Sequence, residues 1–250
     1  MSLEGQVAVV TGSASVIGRA CAVRLARDGA DVALLDIDEE GLAETSRLVE
    51  EQRRQALSVA VDLLDRTAIA EAFERVRETL GAVSVLHNNA GGSRREGLRT
   101  FAKASVDQWD YITTLNLRQV ADCSREVVND MIAAGYGRII NTSSEMAFRT
   151  NFGMTEYSTA KAGLLAFTRS LANEVARHQI TVNAVCPGVT KTAALDNFPQ
   201  EHLESSLATI PLGRFAEPEE IAHAVSFFAS PQAGYVTGES LLVTGGRTMR

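Results

Sequence analysis

Short apolar segments alternate along this chain with longer segments whose apolar positions recur at helical spacing. The short segments are rich in Val, Ile and Leu without strict alternation, which is typical of strands covered on both faces. They are residues 6–11, 31–36, 56–62, 83–87, 137–143, 180–185 and 239–244. This order predicts an α/β fold: a Rossmann-like, doubly wound parallel sheet of about seven strands, with helices on both faces.

Glycine and proline cluster directly after several predicted strands, at 12–18, 89–92, 187–188 and 245–246. Ligands of open parallel sheets bind beyond the carboxyl ends of the strands, so these loops should face one crevice. The chain of 250 residues contains no linker, repeat or low-complexity tract. We therefore expect one dinucleotide-binding and catalytic domain spanning 1–250.

Composition and charge narrow the function classes. A net charge of −7 disfavours binding to nucleic acid and to anionic membrane surfaces. No apolar run is long enough to span a membrane, and the N-terminus carries no signal pattern. The three cysteines, at 21, 123 and 186, form neither a metal pattern nor a disulfide framework, and no other metal-ligand cluster is present. The sequence therefore predicts a cytoplasmic protein without a metal.

The segment TGSASVIG, Thr11 to Gly18, follows the first strand and opens a helix. Gly12 allows a tight turn, Gly18 allows close packing of helix on sheet, and a helix N-terminus favours a pyrophosphate. Asp36 ends the second strand, where its carboxylate accepts hydrogen bonds from ribose hydroxyls and repels a 2′-phosphate. This pattern predicts NAD as the cofactor. The alternative role of Asp36 is a helix cap, for which Asp38 is the better candidate.

Valine stands at position 16, where a phosphate-binding loop commonly has glycine. If the backbone there needs a positive φ, the valine costs about 1–2 kcal/mol and roughly tenfold in affinity. If φ is negative, the cost is steric only. In either case we expect weakened NAD binding with activity retained.

The pattern YSTAK places Tyr157 and Lys161 four residues apart on one helix face. A phenol has a pKa of about 10, and a nearby ammonium lowers it, so Tyr157 is the predicted general acid/base and Lys161 its electrostatic partner. Such a pair also occurs by chance. Ser144, thirteen residues before Tyr157 at the end of the fifth strand, strengthens the assignment, because its hydroxyl can stabilise a developing oxyanion. Strand alternation points Ser143 the other way.

Together these segments resemble the short-chain dehydrogenases/reductases over nearly the whole chain. NNAG (88–91), PG (187–188), PLGR (211–214) and VTGESLLVTGG match further signatures of that family, while Val16 and Thr244 depart from it. The resemblance implies that Asn116 completes the catalytic set from a locally distorted helix, that Asp62 contacts adenine, and that the protein is a homotetramer. The predicted cofactor-binding residues are Gly12, Ser15, Val16, Ile17, Asp36, Asp62, Leu63, Asn89, Ala90, Gly91, Tyr157, Lys161, Pro187, Gly188, Val189 and Thr192.

The substrate pocket is predicted to have a wall at 145–156 and a lid at 190–210. Apolar wall residues suit a small, partly apolar substrate, and Arg149 is a candidate for a carboxylate or for an ion pair with a neighbouring acid. Arg94, Arg95 and Arg99 are candidates for contact with a carboxylate or a phosphopantetheine carrier, and the alternative is that they form a solvated rim. The predicted substrate-binding residues are Ser144, Met146, Arg149, Met154 and Tyr157, and the predicted wall also includes Phe148 and Phe152.

The sequence as a whole predicts an NAD-dependent enzyme that interconverts a secondary alcohol and a ketone. The alternatives are a 3-oxoacyl-[acyl-carrier-protein] reductase and a non-catalytic dinucleotide-binding protein; the complete catalytic set argues against the latter. His87 and Cys186 are expected to be core residues.

Overall fold

The computed structural model describes residues 2–93, 100–192, 195 and 199–249. Seven strands form one sheet in the order β3-β2-β1-β4-β5-β6-β7, and every neighbouring pair is parallel. Each strand coincides with a predicted apolar segment, with ends displaced by at most two residues. The strands are β1 Val7–Thr11, β2 Asp31–Asp36, β3 Ala56–Ala60, β4 Val85–Asn88, β5 Gly137–Thr142, β6 Ile180–Pro187 and β7 Ser240–Val243.

Helices connect the strands and lie on both faces of the sheet. The α-helices are α1 Val16–Arg27, α2 Glu39–Glu50, α3 Arg66–Leu80, α4 Val106–Thr113, α5 Gln119–Ala134, α6 Thr155–Val175, α7 Gln200–Leu207 and α8 Pro218–Ala229. A π-helical turn at Thr114–Arg118 joins α4 to α5, and short 3₁₀ turns occur at Phe101–Lys103, Glu145–Ala147, Ala176–His178 and Pro231–Ala233.

Alternate residues of the strands feed two separate cores. On one face, Ala8 and Val10 of β1 pack in a cluster with residues of α1, α2 and α8. On the other face, Val7 and Val9 pack with residues of α3, α5 and α6. Because successive strand residues point to opposite faces, one strand serves both helix layers. The fold is therefore the doubly wound α/β sheet that the sequence predicts.

The strand order reverses between β1 and β4, and the expected binding crevice lies at this reversal. Val10 pairs with His87, so the loops that follow the two strands start side by side. The Thr11 hydroxyl joins them by accepting hydrogen bonds from the backbone N–H groups of Asn89 and Ala90, at 3.0 and 3.1 Å. Ligands of open α/β sheets bind at such a reversal.

Candidate active site

The loop after β1 holds the N-terminus of α1 tightly against the strand. Gly12 adopts a φ of +65°, which favours glycine, and the Ser15 side chain caps α1 by accepting from the Gly18 N–H at 3.2 Å. A Cβ on Gly18 would lie 2.1 Å from the Gly12 carbonyl oxygen, so only glycine permits this contact. The N–H groups of Val16 and Ile17 begin the helix without intrahelical acceptors, an arrangement that suits an anion.

Val16 does not adopt a positive φ; among the described residues other than glycine, only Arg53 and Gln179 do. It is the first residue of α1 and is 36% exposed. Of the two alternatives that the sequence left open, the structure therefore has the one without backbone strain. Any cost of the valine to cofactor binding is steric.

Asp36 at the end of β2 is bonded to the first loop rather than to a helix. Its Oδ2 accepts from the Ala14 N–H at 2.9 Å, and its Oδ1 accepts from the N–H groups of Ile37 and Asp38 at 2.7 and 3.1 Å. Asp38 is the residue that caps α2, by accepting from Gly41. The capping alternative for Asp36 is therefore wrong, and its carboxylate lies against the loop that precedes α1.

The NNAG segment supports the same crevice from the other side. The Asn89 amide donates to the Gly12 carbonyl at 3.1 Å. A Cβ on Gly91 would lie 2.7 Å from Asn116 Oδ1 and 3.1 Å from Lys161 Nζ, so a side chain here would fill the space in front of both. Beyond β3, Leu63 is buried and Asp62 is exposed, with the Asp62 Oδ1 accepting from the Leu64 N–H. These residues fit a nicotinamide dinucleotide.

Asn116 lies in the π-helical turn at Thr114–Arg118, between α4 and α5. Its amide donates to the carbonyls of Ile112 and Gly92, both at 2.9 Å, and its Oδ1 accepts from the Gly92 N–H at 3.0 Å. The side chain is fully buried. A π-helical turn is costly and often functional, and this one is the local distortion that the resemblance implied.

Ser144 and Ser143 point in different directions, as strand alternation predicted, although β5 ends at Thr142. The Ser143 hydroxyl donates to the Lys161 carbonyl on α6 at 2.9 Å. The Ser144 Oγ accepts from the Met146 N–H at 3.1 Å and donates to none of the described residues. Ser144 and Tyr157 line the same cavity of about 570 Å³. The Ser144 O–H is therefore able to donate to a ligand.

Lys161 lies one helical turn after Tyr157 on α6, and it is buried. Its Nζ donates to the Thr142 carbonyl at 2.8 Å and lies 5.7 Å from the centroid of the Tyr157 ring. Burial lowers the pKa of Lys161 to about 8, against a smaller raising effect of Cys186. At neutral pH most molecules therefore keep a positive charge beside the phenol ring.

The cavity wall at 145–156 agrees with the prediction only in part. Met146, Arg149 and Met154 line the cavity. Phe148 and Phe152 do not; they are 39% and 67% exposed, so their assignment to the apolar wall is wrong. Phe148 directly follows the 3₁₀ turn at Glu145–Ala147, and hydrophobicity alone does not reveal that it is exposed there.

Among the lining residues that were not predicted as site residues, three carry titratable or charged side chains: Glu145, His202 and Arg247. Glu145 directly follows Ser144, and this position beside a predicted catalytic residue is the sequence feature that points to it. His202 lies on α7 within the predicted lid, and Arg247 lies near the C-terminus. No local pattern marks Arg247, because its contacts are distant in sequence.

Gly188 and Val189 line the cavity at the end of β6, and the Gly188 N–H donates to the Val243 carbonyl at 2.9 Å. Pro187 is the last residue of β6, and Thr192 is half-buried just beyond it. Thr244, where the family usually has aspartate, donates its hydroxyl to the Thr248 carbonyl at 3.1 Å. Arg94, Arg95 and Arg99, and lid residues 193, 194 and 196–198, lie outside the described residues.

The two residues that were expected to be core residues, His87 and Cys186, are both buried. His87 is fully buried with its Nε2 2.9 Å from the Thr142 hydroxyl, and burial lowers its pKa to about 3, so it stays neutral. Cys186 is also buried, as expected. Within the described ranges, no group of three or more His, Cys, Asp or Glu residues could hold a metal ion. No helix in the same ranges is long and apolar enough to cross a membrane.

Comparison with known proteins gives consistent matches along the chain. A family model described as "Enoyl-(Acyl carrier protein) reductase" matches residues 12–248. The 3-oxoacyl-[acyl-carrier-protein] reductase FabG from Thermotoga maritima is 37% identical, over 98% of this chain and 99% of the relative. A putative short-chain alcohol dehydrogenase from Sinorhizobium meliloti has a similar structure, with a TM-score of 0.93 and 36% identity over 98% of this chain and 97% of that one.

An NAD⁺-bound xylitol dehydrogenase is also similar in structure, with a TM-score of 0.92 and 27% identity over 98% of this chain and 100% of that one. The matches cover the first loop, the NNAG segment and the Tyr157–Lys161 pair together. The chain therefore belongs to the short-chain dehydrogenase/reductase family and is an oxidoreductase of that family.

Proposed function

We propose that this protein is an NAD(H)-dependent oxidoreductase that interconverts a secondary alcohol and a ketone in a small, partly apolar substrate. One observation carries the proposal: Ser144 and Tyr157 line one cavity, and the buried Lys161 ammonium lies 5.7 Å from the Tyr157 ring. Met146, Met154, Val189, Leu195 and Leu203 supply the apolar part of the cavity lining.

The polar side chains of the site have distinct roles in the proposed reaction. A nicotinamide dinucleotide, when bound, supplies or accepts the hydride. Tyr157 moves the proton at the substrate oxygen, and the Lys161 charge stabilises its phenolate. Ser144 donates a hydrogen bond to the same oxygen and stabilises charge that develops there. Asn116 holds the backbone of Gly92 on the edge of the crevice through two hydrogen bonds, and a third to the Ile112 carbonyl anchors its amide.

NAD is the proposed cofactor because of the position of Asp36. The carboxylate already accepts three backbone N–H groups and stands at the end of β2, where it would accept from ribose hydroxyls and repel a 2′-phosphate. The similar xylitol dehydrogenase, whose structure contains NAD⁺, agrees with this choice. Val16 and Ile17 N–H groups would bind the pyrophosphate.

A fluorescence titration with NADH and NADPH tests which of the two cofactors the protein binds and whether the site binds either of them. We expect the wild type to bind NADH at least about tenfold more tightly than NADPH, a difference of about 1.4 kcal/mol. Asp36→Asn, which removes the charge and keeps the shape, should reduce the difference to about threefold or less. Asp107→Asn, an exposed acid on α4, is the matched control. A preference for NADPH would overturn the cofactor assignment, and binding of neither would favour a non-catalytic role.

A second candidate function is 3-oxoacyl-[acyl-carrier-protein] reductase, favoured by the 37% identity to a protein of that name. The net charge of −7 argues against it, because an acidic carrier protein would be repelled. Reduction of a 3-oxoacyl group on its carrier, compared with a free ketone of equal chain length, separates the two. Faster turnover of the carrier-bound group would establish the second candidate.

Two further features remain proposals. Residues 190–210 would act as a lid, with α7 placing His202 and Leu203 on the cavity. A homotetramer follows from the family resemblance alone, and sedimentation of the purified protein tests it.

A further inference from the structure

Among the described residues, the charged side chains that line the active-site cavity are Glu145, Arg149 and Arg247, in addition to His202. Two of the three neutralise each other. The Glu145 Oε1 accepts from Arg247 Nη1 at 2.7 Å, and its Oε2 accepts from the Thr248 hydroxyl at 3.0 Å. Both side chains of the ion pair are nearly inaccessible, at 4% and 8% exposure. The Glu145 charge is therefore balanced by Arg247.

Arg149 is the charge that remains. Its backbone N–H bonds to the Glu145 carbonyl at 3.0 Å, which closes the turn after Ser144. Its guanidinium makes no hydrogen bond or ion pair with the part of the chain that the structure describes. The ion pair with a neighbouring acid that the sequence left open is thus not formed within those residues. An arginine cannot lose its proton in a protein, so the described cavity lining carries one unneutralised positive charge.

A guanidinium presents a planar fork of N–H donors that matches a carboxylate. One free guanidinium balances one negative charge, whereas a phosphate dianion would remain partly uncompensated. Arg149 lines the same cavity as Ser144 and Tyr157, so a bound anion and the reacting carbonyl can belong to one small molecule. We infer that the substrate is an oxo or hydroxy carboxylate, with its carboxylate on Arg149 and its reacting oxygen between Ser144 and Tyr157. This inference rests on the proposed oxidoreductase function.

The test compares oxopentanoates, with the keto group at successive positions, with their methyl esters as substrates of the full-length protein and NADH. For the best isomer we expect kcat/KM of the acid to exceed that of the ester by at least about tenfold, mainly through KM, because a charge-assisted pair is lost with the ester. Arg149→Gln should reduce this ratio to about one, and Arg149→Lys should keep part of it. Arg75→Gln, an exposed arginine on α3, should leave it unchanged. An acid preference that survives in Arg149→Gln, or an equal rate for the ester in the wild type, would overturn the inference.

A second measurement does not depend on turnover. Unreactive pentanoate should raise the Tm of the wild type with NADH present, whereas pentanamide should not, and Arg149→Gln should abolish the difference. If no ketone is reduced but this Arg149-dependent stabilisation is seen, the proposed oxidoreductase function fails and the anion site stands. If ketones are reduced but pentanoate binds no better than pentanamide, the anion site fails alone.

Discussion

Arg247 and Glu145 join the C-terminal segment to the residue that follows Ser144, through an ion pair of 2.7 Å in the wall of the cavity. The Arg247 Nε also donates to the Thr209 hydroxyl at 2.7 Å, just after α7. Three segments that are distant in sequence therefore meet at this pair: the turn after β5, the end of the proposed lid and the tail after β7. The shape of the cavity depends on all three.

We expect Arg247→Met to destabilise the protein by roughly 3–5 kcal/mol, because it leaves the Glu145 carboxylate buried without its cation. Urea unfolding measures this loss. Since Arg247 also lines the cavity, KM for the substrate should rise in the same variant.

The double variant Glu145→Gln/Arg247→Met removes both charges and should recover most of the loss. The exposed pair of Arg47 and Glu51 is the matched control, and Arg47→Met should cost less than about 1 kcal/mol. If Arg247→Met cost no more than Arg47→Met, the ion pair would not be what holds the three segments together.

Val16→Gly should increase NADH affinity by no more than about threefold. The valine is not in a left-handed conformation, so the glycine relieves only a steric contact with the cofactor. A fluorescence titration of the two proteins measures the change. A gain of tenfold or more would mean that the loop becomes strained when the cofactor binds, and no gain would mean that the valine side chain does not touch it.

The sequence predicts the sheet well because each strand is buried on both faces and therefore reads as a continuous apolar segment. The sequence also predicts the positions of Ser144, Tyr157 and Lys161, because Ser144 follows a strand and the other two residues are one helical turn apart. Phe148 and Phe152 were misassigned because a 3₁₀ turn and irregular chain follow Ser144, and neither has the period of a helix or a strand. The pair of Glu145 and Arg247 spans 102 positions, so only the folded chain reveals it.

His87 should make the stability of this protein sensitive to mild acid. Burial lowers the pKa of His87 to about 3 in the folded chain, whereas an exposed histidine titrates near 6.5. Between these values the unfolded chain binds a proton that the folded chain does not, so stability falls as the pH falls through about 6.5. At pH 5 this loss amounts to about 2 kcal/mol relative to pH 8.

Urea unfolding at the two pH values, in the wild type and in His87→Gln, separates the contribution of His87 from that of the carboxylates that both proteins share. The variant should lose about 2 kcal/mol less than the wild type, and His223→Gln, at an exposed position on α8, should behave as the wild type does. An equal loss in all three proteins would mean that the pKa of His87 is similar in the folded and unfolded chains, so that burial does not keep it neutral.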